Sequence, residues 1–299
     1  MDSSPQQPLS INPKIEFFLL LGLYLGGLVL SQVLASVFLF PFMSFEEGFT
    51  PRIDFENPLA ISALKAGQFL SAIITFILPA LVFVRIRKSS FFKELGFSAP
   101  VGRPALLITP LFTLCLIPLV AFLAELNSHL PLPDFLIELE QEAERLTRLF
   151  LKSEGLGDLA INLLIVAVSA AFAEEIFFRG ALQPVLIRWF NNPHLGIWVG
   201  AFLFSFLHFQ FLGFFPRMLL GGVLGYLFLW TGSLWIPIAA HFTNNALGVL
   251  IQYFIQKGSL SPDAENFGAS ATDYLWVLAG LVFAVLLGLL IRRKSVNPS

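Results

Sequence analysis

Eight stretches of this chain are apolar over lengths that suit the interior of a membrane: residues 16–42, 58–85, 105–127, 158–190, 195–212, 216–231, 234–256 and 273–291. A helix needs about 20 such residues to cross the hydrocarbon. The pattern predicts an all-α fold, a polytopic transmembrane helical bundle of about eight spans. The runs at 195–212 and 216–231 are short and are joined by a Gly-Phe-Phe-Pro turn at 213–216, so they are expected to be buried or slightly displaced. Only 13% of the residues are charged, against about 25% in a soluble globular protein, too few to cover a surface facing water. The net charge of −2 provides no basic field for nucleic acid. Cys115, the single cysteine, lies in an apolar run, which excludes an intramolecular disulfide and predicts a small buried hydrophobe. The opening MDSSPQQPLSINPK is polar and lacks a basic stretch before a short apolar core, so no cleaved signal peptide is expected.

Charge sets an expected orientation. Arg85, Arg87, Lys88 and Lys93 follow the second span and Arg292, Arg293 and Lys294 the last, whereas the loops at 43–57 and 257–272 are net acidic. With eight spans these agree if both termini are cytoplasmic, in a multi-pass protein of the cell membrane. The chain reads as one integral membrane domain in three parts: 1–157 with spans one to three, 158–256 as the core, and 257–299 as the last span and basic tail. Between spans three and four, residues 135–152 repeat Leu136, Leu139, Ala143, Leu146 and Phe150 at helical spacing opposite a charged face. This amphipathic helix rests on the bundle at the interface or covers a site within it. Gly221 and Gly225 form a GxxxG spacing suited to close helix packing.

Against this background the charged groups of FAEEIFFRG (172–180) need an explanation, because charge at the bilayer centre costs roughly 2.5 kcal/mol or more. Glu175 and Arg179, at i and i+4, are placed to pair. Glu174 points about 100° away around the helix, which leaves it free to meet histidines from other spans. Two of the four histidines, His129 and His194, fall in loops; His208 and His241 sit inside apolar spans. Phe204 precedes His208 by four residues and Asn245 follows His241 by four, so each pair shares a helix face. A carboxylate, two imidazoles and an amide at membrane depth could hold and polarise one water molecule.

Together these stretches resemble the CAAX prenyl protease and bacteriocin-processing (CPBP, Rce1-like) intramembrane endopeptidases. That family is marked by EExxxR, FxxxH and HxxxN, which read here EEIFFR (174–179), FSFLH (204–208) and HFTNN (241–245), in family order and without departure at the signature positions. The resemblance covers about residues 158–256, a third of the chain. It implies a helical bundle around a water-accessible cavity and hydrolysis of a peptide bond. In that reading Glu174 is the general base, His208 helps hold the water, and His241 with Asn245 stabilises the oxyanion. Glu175, Arg179 and Phe204 support them.

The family is usually labelled metalloprotease, and His208 and His241 with a glutamate could form a three-ligand zinc site. The chain has no HExxH pair, however, and Asn245 suits an oxyanion better than zinc, so a zinc and a metal-free glutamate mechanism both stand. The expected partners are membrane lipid and a protein or peptide substrate, prenylated or not, cut near its C-terminus or in a membrane-proximal segment. Two other classes share these features: a non-catalytic immunity or scaffold protein with the protease fold, and a proton-coupled transporter using the Glu–His groups as a relay. Neither inverted repeats nor matching interrupted spans favour the transporter.

Overall fold

The computed structural model of the chain describes residues 11–45, 51–55 and 57–296. The principal helices are α1 (Pro13–Leu39), α2 (Pro58–Ile86), α3 (Arg103–Ser128), α4 (Asp134–Leu151), α5 (Leu156–Phe190), α6 (Pro193–Phe206), α7 (Phe214–Thr231), α8 (Trp235–Gln256) and α9 (Tyr274–Val296). Met43–Phe45 and Pro51–Ile53 form a small antiparallel hairpin between α1 and α2. All eight apolar runs become helices, and six segments are long and apolar enough to cross a membrane. Of the other two helices, α6 has only 14 residues. α8 is 22 residues long but is diluted by His241, Asn244, Asn245, Gln252 and Gln256.

Two of the long helices are not regular throughout. α2 widens into a π-turn at Ile73–Ile77, and α5 does so twice, at Leu163–Ser169 and Ile176–Leu182. Proline supplies a cause for two of them: Pro79 and Pro184 lack an N–H and crowd the carbonyls of Thr75 and Gly180, four residues earlier, which lie inside these turns. The pair Glu174–Glu175 therefore lies on a short regular stretch, Ala170–Glu175, between two widened ones. Such turns re-aim side chains.

Polar contacts distinguish the two ends of the bundle. At one end Glu16 of α1, fully buried, accepts hydrogen bonds from Arg87 after α2 and from Arg188 of α5, the latter at 2.5 Å. At the other end Asn127 of α3 donates to the Phe211 carbonyl (2.7 Å) and accepts from the Phe215 N–H (3.0 Å). There too the Ser153 N–H, just before α5, donates to Gln256 at the end of α8 (2.9 Å). The basic loops follow the first end, and α4 lies across the second.

α4 has the amphipathic pattern read from the sequence, with one exchange. Leu136, Ala143, Leu146 and Phe150 are half-buried, but Leu139 is 54% exposed and Glu140 turns inward instead. Its Oε1 accepts from the Leu212 N–H at 2.9 Å, tying α4 to the loop between α6 and α7. On the outer face Arg145 hydrogen-bonds Glu142 and holds its carboxyl below the usual range. Cys115 is half-buried rather than buried. It lies on α3, where α9 approaches so closely that a Cβ at Gly280 would sit 2.4 Å from the Cys115 carbonyl oxygen.

Candidate active site

The three motifs meet at the middle of the bundle, brought in by α5, α6 and α8. Glu175, with no exposure, is the hub. Its Oε1 accepts from Arg179 at 2.8 Å and from Nδ1 of His241 at 2.8 Å. The i, i+4 pair expected from the sequence is present. The histidine it was expected to leave for Glu174 bonds Glu175 instead: Nε2 of His241 stays 3.8 Å from Glu174 Oε2, beyond hydrogen-bond reach. The two glutamates point about 100° apart on the regular stretch Ala170–Glu175, and it is the Glu175 face, whose Oε1 serves both Arg179 and His241, that meets α8.

Arg179 is satisfied on two sides. Besides Glu175 it donates to the Gly221 carbonyl at 3.0 Å, and its guanidinium lies 4.7 Å from the Phe204 ring centroid. Gln183, one turn later, donates to the Gly225 carbonyl at 3.0 Å. The GxxxG spacing on α7 thus does more than admit a neighbour. Two side chains four residues apart on α5 dock onto two carbonyls four residues apart on α7, and a Cβ at Gly225 would lie 2.9 Å from Gln183 Oε1. Phe204 is the aromatic centre of the site, edge-on to Phe178, His208 and His241 with centroids 5.1, 5.0 and 6.1 Å away.

His208 is placed differently from the expectation. It does not lie inside a span, because α6 ends at Phe206 and the chain turns through Phe209, whose φ is +53°. Gly213 precedes α7, and Phe214, Phe215 and Pro216 belong to its first turn, where a proline leaves no bond unmade. Nδ1 of His208 donates to the Phe204 carbonyl at 2.6 Å, which presents Nε2 as an acceptor. His194, expected in a loop, lies in the first turn of α6 against the Tyr226 hydroxyl. Asn245 donates to the Val166 carbonyl at 2.9 Å, inside the first π-turn of α5, and accepts from Asn244 at 3.2 Å.

Glu174, His208, His241 and Asn245 line one cavity of about 110 Å³, together with Phe204 and Arg217. That is room for several water molecules. Glu174, His208 and Asn245 also line a second cavity of about 420 Å³ on the α4 side, walled by Leu146, Phe150 and Leu151. Oε2 of Glu174 is buried with no hydrogen-bond partner among the described residues, which leaves it to accept from a bound water. Arg217, anchored by the Gln210 carbonyl, was not singled out in the sequence. It follows Pro216 at the start of α7 and looks there like a loop cation.

A zinc ion fits this arrangement poorly. Each histidine commits Nδ1 to an oxygen and leaves Nε2 free, as metal ligands do. The third donor does not arrive: among the described residues no three His, Cys, Asp or Glu side chains converge closely enough to hold a metal ion. Arg217 also brings positive charge into the same cavity.

Residues 156–247 match the family described as type II CAAX prenyl endopeptidase, Rce1-like. YpbD, an uncharacterized protein of Bacillus subtilis (strain 168), is 33% identical over 90 residues, covering 29% of this chain and 43% of that relative. The match thus spans less than half of YpbD. No solved structure matches the chain. Every motif residue at the site falls within 156–247, so the stretch that is similar to the Rce1-like family is the one that builds the site of this multi-pass membrane protein.

Proposed function

We propose that the chain is an intramembrane endopeptidase of the CAAX type in which Glu174 activates a water molecule for attack on a peptide carbonyl. The observation that carries this reading is the free Oε2 of Glu174 in a small polar cavity beside His208, His241 and Asn245. Burial there removes competing solvent and leaves the carboxylate as acceptor for a water proton. Nε2 of His208 accepts the other proton and fixes the water. His241 is held with its Nδ1 proton on Glu175, and Arg179 holds that carboxylate in turn. The second amide proton of Asn245 and the Nε2–H of His241 in its doubly protonated form stabilise the oxyanion, by up to roughly 3 kcal/mol per donor. The proton that Glu174 takes from the water passes to the leaving amine as the C–N bond breaks. Among the described residues no third ligand converges with the two histidines, which supports a metal-free reading. Activity on a mixed pool of prenylated and unprenylated peptides in proteoliposomes is expected to survive 1,10-phenanthroline. Loss with the chelator and return with added zinc would replace this mechanism with a metal one.

The same reading places the protein in the cell membrane with both termini and the basic loops cytoplasmic. α4 and the mouth of the site then face the opposite side, since they lie at the other end of the bundle from Arg87 and Arg188. The substrate segment would be met outside the cytoplasm. In a Cys115→Ala background, His129→Cys should react with a membrane-impermeant maleimide in intact cells, and Lys88→Cys only after lysis. The reverse pattern would invert the topology.

A further inference from the structure

Lys65 is a lysine of α2 that is only 8% exposed, and it makes no hydrogen bond or ion pair among the described residues. The ring of Phe150 lies beside it, with Nζ 5.7 Å from the centroid, and Asp158 acts on it from beyond ion-pair distance. The stem is buried while Nζ keeps access to the space beside it, and a cation on a membrane helix is costly and is retained where it meets something. Lys65 lines a cavity of about 770 Å³ between α2, α4 and the start of α5. This cavity adjoins the second cavity of the catalytic site. They share Ile165, and residues adjacent along each helix divide between them: Lys65 and Leu64 on α2, Leu149 and Phe150 on α4. Joined past Ile165, these adjoining cavities would make one groove beneath α4 with Lys65 at one end and Glu174 at the other.

We propose that this groove is a subsite in which Lys65 anchors the C-terminal carboxylate of a peptide whose scissile bond lies at Glu174; the inference rests on the protease reading above. The charges favour a single negative group. Lys65 offers one unpaired cation, Lys152 is 3.6 Å from Glu154, and the carboxylates of Glu154 and Asp158 line the same cavity. A phosphate dianion would be repelled more strongly than a carboxylate. Asp158 is itself occupied in part, its Oδ2 accepting the N–H groups of Glu154 and Gly155.

The test uses full-length Glu174→Gln protein, which should bind peptide without cutting it. It is reconstituted with phosphatidylcholine alone or with added phosphatidylglycerol and offered one peptide pool made as C-terminal acids and as C-terminal amides. Acids should be retained about tenfold or more over amides, the scale of a charge-assisted contact. Adding Lys65→Met should abolish that preference without weakening amide retention, and Lys65→Arg should keep it; the latter two outcomes hold only if both variants elute as folded protein. Methionine at a buried position makes misfolding a weak objection. Equal retention of acids and amides, retention of neither, or a preference that persists in Lys65→Met overturns the subsite. A preference seen only without phosphatidylglycerol assigns Lys65 to lipid phosphate and also overturns it. Cleavage of the same pool by the wild type is scored separately, so failure of the protease reading is distinguishable from failure of the anchor.

Discussion

Arg179→Met destabilises the protein by about 3–5 kcal/mol, the cost of removing one partner from a buried ion pair. Three contacts are lost at once: the 2.8 Å bond to Glu175, the 3.0 Å bond to the Gly221 carbonyl and the guanidinium over Phe204. Among the described residues Glu175, fully buried, then keeps only His241 as a hydrogen-bond partner. Most of the cost comes from stranding that carboxylate, and the double variant Glu175→Gln/Arg179→Met should recover much of it. A glutamine still accepts from His241 but carries no charge. Arg179→Lys should fall between, because a lysine keeps the charge but cannot span Glu175 and Gly221 as the planar fork does. Thermal unfolding in detergent orders the four proteins. Equal stability of Arg179→Met and wild type would remove Arg179 from the scaffold of the site.

Glu174→Gln lowers the rate of peptide hydrolysis by about 10²–10⁴-fold, the contribution of a positioned general base. Its stability should change little, because Glu174 Oε2 has no hydrogen-bond partner among the described residues to lose. Glu174 and Arg179 therefore separate: replacing the first affects the rate, replacing the second the fold. Initial rates on the best-cleaved peptide, with kcat read apart from KM, check this. A fall confined to KM would make Glu174 a binding residue instead.

Much of this arrangement was legible in the sequence because membrane insertion makes polar groups conspicuous. The helices follow from apolar length, and the amphipathic α4 from its period. Glu174, Glu175, Arg179, Phe204, His208, His241 and Asn245 do come together around adjoining cavities. Two details differ. Pairing Glu175 with Arg179 leaves Glu174 for the histidines by elimination, but one carboxylate oxygen can serve two donors, and Glu175 Oε1 accepts from both Arg179 and His241. The hydropathy of 195–212 runs past the true end of α6, so His208 was placed inside a helix rather than in the turn that follows it. Gln183 escaped notice because a lone glutamine carries no charge signal, and its partner is a backbone carbonyl on another helix. Lys65 and Arg217 fall within apolar runs, at 58–85 and 216–231, without a motif to mark them, and only the cavities they line set them apart.

The most direct test of a Glu174-activated water is isotopic. Wild-type and Glu174→Gln proteoliposomes are incubated with the peptide pool in H₂¹⁸O, and new C-termini are read by mass spectrometry. The account predicts fragments carrying one ¹⁸O in the new carboxylate with the wild type and essentially none with the variant. Equal cleavage by a folded Glu174→Gln protein, or new termini without label, would contradict it.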